Sequence, residues 1–111
     1  VVDVLGPKVL GLYFQRYPQE RSEWISLWIK SPNFWHQRLC ILFQLDYKKQ
    51  TDVTLLSTII LSLNTSKEFF IQKAIGWSLR QYARTDQEWV LDFVDNHPLM
   101  PLSKREALKH F

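Results

Sequence analysis

Glycine, cysteine, long apolar runs and charge of one sign are all scarce in these 111 residues, and each scarcity excludes something. A single cysteine, Cys40, cannot close an internal disulfide. His36, His97 and His110 stand at no metal-ligand spacing with it or with one another, so neither a disulfide framework nor a metal site is expected. The longest apolar stretches, residues 24–29 and 39–43, fall far short of a membrane-spanning helix, and no basic-then-apolar leader opens the sequence. A soluble protein in a reducing, cytoplasmic setting, with no membrane partner, is the expectation. Three glycines leave no glycine-rich loop to cradle a phosphate, and no cofactor is implied. The formal charge of +3 permits an anionic partner without requiring one, and neither half of the chain is a basic tail.

What is present is apolar and helical. Hydrophobic residues make up 46% and charged residues 23%, enough to build one globular domain over residues 1–111. Apolar positions return every three to four residues, with breaks at Pro, Asn and Ser/Thr, so the fold class expected is all-α. A first helix is predicted from Pro7, since proline is tolerated in a first turn, to Tyr17, where Pro18 stops it. Further helices are predicted over residues 21–30, 34–47 with Asn33 as N-cap, 52–63 and 68–84. Thr85-x-x-Glu88 reads as a capping box opening a helix to residue 95, and Ser103-x-x-Glu106 as another opening a last helix at Lys104. Short helices joined by brief turns fit antiparallel pairs stacked as a solenoid and fit a compact bundle equally well. The chain opens Val1-Val2-Asp3 inside an amphipathic pattern, which reads as the interior of a longer protein.

Two helices pair tryptophan with cations. Lys73, Trp77, Arg80 and Arg84 fall within about 60° of one another at about 100° per helical residue, with Gly76 permitting close approach. Phosphates are met by cations at intervals along a rigid surface, while an indole face stacks on a base or a cation. Trp35 and Arg38 repeat the pairing at i and i+3. The competing account makes Trp77 core and the cations a solvated face. Trp24, Trp28 and Trp89 are read as packing residues, and Cys40, flanked by Leu39 and Ile41, as a buried inert thiol.

Residues 68–84, EFFIQKAIGWSLRQYAR, followed by Glu88-Trp89-Val90, resemble the signature of AlkD-like DNA alkylation repair enzymes. Residues 103–109, SKREALK, match the same family's end, as do Asn33-Phe34-Trp35 through Arg38 and the opening Val2-Asp3, which is similar to the second half of a Trp-Asp-x-Val-Asp segment. The resemblance covers essentially the whole chain as the C-terminal part of such a protein. It implies HEAT-like helical repeats curved around damaged double-stranded DNA, and hydrolysis of the N-glycosidic bond of cationic N3- and N7-alkylated purines without a base-flipping pocket.

It also implies roles. The catalytic aspartate falls on Asp3, the DNA-contacting arginine on Arg38 and one of two active-site tryptophans on Trp77; the second tryptophan lies ahead of the sequence given. Lys73, Arg80, Arg84 and Trp35 would add DNA contacts. A cationic purine leaves without a general acid, so one carboxylate can serve where ordinary glycosidases use two. Two other readings stay open: a helical-repeat module that binds DNA without cleaving it, and a protein-interaction solenoid. An array cut short would expose core surface through which copies can self-associate.

Overall fold

Prolines and short polar side chains set the helix starts. In the computed structural model, which describes residues 2–109 and their side chains from residue 6 onward, Val2–Arg16 form α1, Pro18–Ile29 α2 and Phe34–Leu42 α3. Val53–Leu63 form α4, Phe69–Ala83 α5, Gln87–Asn96 α6 and Pro101–Ala107 α7, with one 3-10 turn at Lys48–Gln50. Val1, His110, Phe111 and the side chain of Asp3 lie outside the described residues. The fold is all-α, with no strand among the described residues.

Asn33 caps α3 by accepting from the Trp35 N–H at 2.9 Å, and Asp52 caps α4 by accepting from Leu55 N–H at 3.0 Å. Other boundaries depart from the sequence pattern, each for a local reason. Helix α1 runs through Pro7 instead of starting there; Pro7 is buried, and packing outweighs the lost N–H. Pro18 does not merely stop α1 but occupies the first turn of α2. Helix α3 ends at Leu42 and not at Tyr47, because Gln44 turns to hold the Asp52 backbone, accepting its N–H at 2.7 Å, and Tyr47 donates to Gly11 O at 2.6 Å.

Both expected capping boxes are corrected. The Tyr82 carbonyl accepts from Thr85 and Asp86 N–H, which carries the turn one residue further, so Asp86 caps α6 through Trp89 N–H at 3.0 Å. Proline is preorganised for a first helical position, so α7 begins at Pro101, and Ser103 inside it donates its hydroxyl to Gln72 O at 2.7 Å.

The helices pack in two rows. Helix α1 touches α3, α3 touches α5 and α5 touches α7, while α2 meets α4 in the other row, and α2 against α1 and α3, α4 against α3 and α6 against α5 bridge the two. Neighbour-to-neighbour contact of this kind is that of stacked antiparallel pairs, a solenoid-like order. A cleft of about 310 Å³ between Thr54 and Ser57 of α4 and Trp89 and Phe93 of α6 spreads the even row. Between the rows lie Phe14, Ile41, Leu42, Ile59, Ile60, Ile71, Ile75, Leu79 and Val90, all 0–1% exposed. Each such aliphatic or aromatic side chain contributes about 1.5–3 kcal/mol by leaving water. Trp89 stacks on Phe93 at 5.1 Å and Trp28 on His36 at 5.8 Å, as packing residues; Trp24 leans on Trp28 but stays 40% exposed.

Gly76 decides how closely α5 and α7 approach. A methyl group there would stand 2.5 Å from Glu106 Cβ and 2.8 Å from the Ser103 carbonyl oxygen. The close approach that Gly76 permits is made by α7. Gly76→Ala gains about 0.5–1 kcal/mol of helix propensity but forces an overpacking cost of about 1–3 kcal/mol. We expect a net loss and a melting temperature lower by roughly 5 °C or more, read by circular dichroism. An unchanged or raised melting temperature would show that α7 yields freely.

Candidate functional site

Asn33 fixes where α3 starts, and so fixes Trp35 and Arg38 one turn apart on it. Helix α5 lies along α3 and brings Trp77 to the same spot. The Arg38 Cζ stands 5.9 Å from the Trp35 ring centroid and 5.8 Å from that of Trp77. Two indoles thus hold one guanidinium, each contact contributing about 0.5–1 kcal/mol at such exposure. Trp35 is braced in turn by Phe70 at 5.4 Å and Phe34 at 4.6 Å, and Phe34 stacks on Phe70 with planes 6° apart. The result is a partly exposed aromatic platform with one cation set into it.

Beside the platform a cavity of about 370 Å³ opens between α1 and the turn after α3, lined by Pro7, Lys8, Gln15, Asp46, Tyr47 and Trp77 among others. Trp77 therefore borders both the arginine and the cavity. Asp3 lies in the first turns of α1, one turn ahead of Pro7 in the same helix. Asp46 and Lys8 enter this cavity from loop and helix positions 38 residues apart, a juxtaposition that only folding makes.

The basic stripe expected on α5 does not survive as one face. Arg80 turns to α7, where it meets the Glu106 carboxylate at 3.6 Å and donates to the Glu106 carbonyl at 3.3 Å. Lys73 is exposed with its ammonium 5.6 Å above the Phe69 ring, at the other end of the helix from Arg84. Arg84 closes α5 and lines a separate cavity with Lys48. So Trp35, Arg38 and Trp77 come together, while Lys73, Arg80 and Arg84 point to three different neighbourhoods.

With this geometry in view, the comparisons with known proteins are decisive. The sequence matches the family described as DNA alkylation repair enzyme over residues 1–111. The chain belongs to that family. It is also similar to the solved structure of a protein described as a predicted DNA alkylation repair enzyme from Enterococcus faecalis, with 38% identity and a TM-score of 0.86 over 95% of this chain. The chain spans 49% of that protein's length. No curated protein matches.

Among the described residues no group of three or more His, Cys, Asp or Glu could hold a metal ion, and no helix is long and apolar enough to cross a membrane. Cys40 is fully buried, and burial pushes its thiol up to about 12. It stays protonated at any working pH and cannot serve as a nucleophile. The native protein at pH 8 should therefore resist Ellman's reagent, with one thiol released on unfolding in guanidinium. Rapid labelling of the folded protein would show that the α3 core opens.

Proposed function

We propose that this family member is a DNA glycosylase that hydrolyses the N-glycosidic bond of cationic N3- and N7-alkylated purines in duplex DNA. The observation that supports it is the Trp35–Arg38–Trp77 clamp bordering a cavity whose α1 wall continues back to Asp3. Arg38, oriented by its two rings, offers a planar fork of N–H donors to a phosphate oxygen. Trp77 presents an electron-rich ring to the cationic base or the deoxyribose beside it.

The chemistry is then short. The C1′–N bond breaks and its electron pair neutralises the alkylated purine, which leaves without a general acid. Asp3, ionised, stabilises positive charge developing at C1′ and takes a proton from the water that attacks there. Product is a free alkylpurine and an abasic sugar. No base pocket is needed for a leaving group already charged, and the open platform suits a lesion approached within the duplex. Arg38 and the aromatic platform alone would also serve a module that binds DNA without cleaving it, and the two readings differ only at Asp3.

Base release from duplex DNA carrying one N7-methylguanine separates them. Asp3→Asn should slow release by about a hundredfold or more while duplex affinity stays within about twofold. Undiminished release by that variant would remove Asp3 from the mechanism, and absence of release by the unaltered protein would leave the binding reading. Arg38→Lys keeps the charge but loses the planar fork and the double stack, so duplex binding should weaken by about tenfold. Equal affinity of this variant and the unaltered protein would reduce the clamp to a point charge.

A further inference from the structure

A second cavity, about 380 Å³, lies where α3 and α5 end, and its lining is unlike that of the first. Lys48 and Arg84 both line it and no carboxylate does. Around them stand Thr51, Gln81, Tyr82 and Thr85, whose side chains can all donate hydrogen bonds. Among the described residues, none of these six side chains is engaged in a hydrogen bond or ion pair within the chain. Two cations lining one concave, donor-rich space, with no carboxylate in its lining, make a seat for an anion.

Lys48 is held there at a conformational cost. It is the single non-glycine residue with positive φ among those described, at 53°, in the left-handed region where asparagine or glycine is the comfortable occupant. A cavity rim built with lysine at such a position favours charge over ease of folding. Helix polarity alone would account for one cation closing α5, but not for a second arriving from a strained turn after α3.

We infer that Lys48 and Arg84 together seat a phosphate of the DNA backbone, a contact separate from that of Arg38. The inference rests on the glycosylase reading for its ligand and adds where the duplex runs. Leu45 lines both cavities, so the seat neighbours the cavity bordered by Trp77. Arg84 stands seven residues after Trp77, about 10 Å along the axis at 1.5 Å per residue. One strand advances about 3.4 Å per nucleotide along the duplex axis, so the seated phosphate falls roughly three nucleotides from the lesion side of the clamp.

Salt dependence of duplex binding tests it. Neutralising one phosphate contributes about 0.9 to the slope of log K against log salt. The Lys48→Gln, Arg84→Gln double variant should flatten that slope by about one and each single variant by no more than that, because both cations serve the same phosphate. A single neutral methylphosphonate linkage walked along the strand should produce the same loss at one position in the unaltered protein and none in the double variant. Lys48→Asn, which suits left-handed backbone, guards against misfolding: it should raise the melting temperature while flattening the slope as Lys48→Gln does. A loss of two in the double variant, or no loss in any, overturns the shared seat. Chemical shifts at Lys48 and Arg84 that saturate with millimolar inorganic phosphate, with unchanged slopes on DNA, would make the seat one for a free anion and overturn the DNA assignment. Failure of the glycosylase reading shows elsewhere, as absence of base release by the unaltered protein.

Discussion

Everything at the site follows from how closely α5 is pressed against α7. Gly76 removes the side chain that would keep the helices apart, Ser103 ties its hydroxyl to the Gln72 carbonyl at 2.7 Å, and Arg80 closes on Glu106. These three contacts fix both the position and the rotation of α5. The flank of the helix about 60° round from Arg80 then meets α3, and Trp77 lands against Arg38. An α5 free to roll by one residue, about 100°, would carry Trp77 off the arginine. The packing of one face sets the chemistry of the face beside it.

The clamp answers a physical problem that a bare surface arginine leaves open. A solvated guanidinium samples many rotamers and loses that freedom when it binds, a cost of up to about 2 kcal/mol for so long a side chain. Two indoles at 5.9 and 5.8 Å meet much of that cost in the free protein. Lysine has no plane to hold, so this advantage belongs to arginine alone. The neighbouring Phe34–Phe70 stack stiffens Trp35 in the same way, one step further from the cation. Arg80, whose charge is answered by Glu106, contributes to folding and has little left to offer a phosphate.

Local signals in the sequence carried most of the fold. Asn33 caps α3 where the sequence places the cap, and Leu56, Ile59, Ile60 and Leu63 of the expected apolar face of α4 are buried, whereas Phe69 and Phe70 at the start of α5 stay exposed. What failed were readings that needed a partner from elsewhere. Ser103 has the spacing of a cap, but the proline two residues earlier starts the helix first and the hydroxyl serves α5 instead. Arg80 lies on the expected helical stripe, yet helical phase says nothing about Glu106 waiting on α7. Gly76 announced close approach without saying to what. Trp35, Arg38 and Trp77 were legible as separate aromatic and cationic features, whereas Lys48 was hidden in a turn whose left-handed backbone no residue type advertised.

The groups that converge come from different helices of one row. Helix α1 lines the cavity through Pro7 and Lys8, α3 supplies Trp35 and Arg38, and α5 supplies Trp77. The even helices place none of these residues, but Ile25 of α2, Ile59 and Ile60 of α4 and Val90 of α6 supply much of the apolar layer that holds the row in register. In a stacked array each pair is positioned only by its neighbours, so small rotations between pairs accumulate along the row. A site assembled across α1, α3 and α5 is therefore sensitive to each junction in turn, and the tightest of those junctions carry the hardest contacts: Gly11 against the Phe43 carbonyl between α1 and the end of α3, and Gly76 against α7. Side chains at both places would act as wedges. Where backbones meet without them, the spacing between helices is set by hard atoms, and the geometry of the clamp inherits that rigidity.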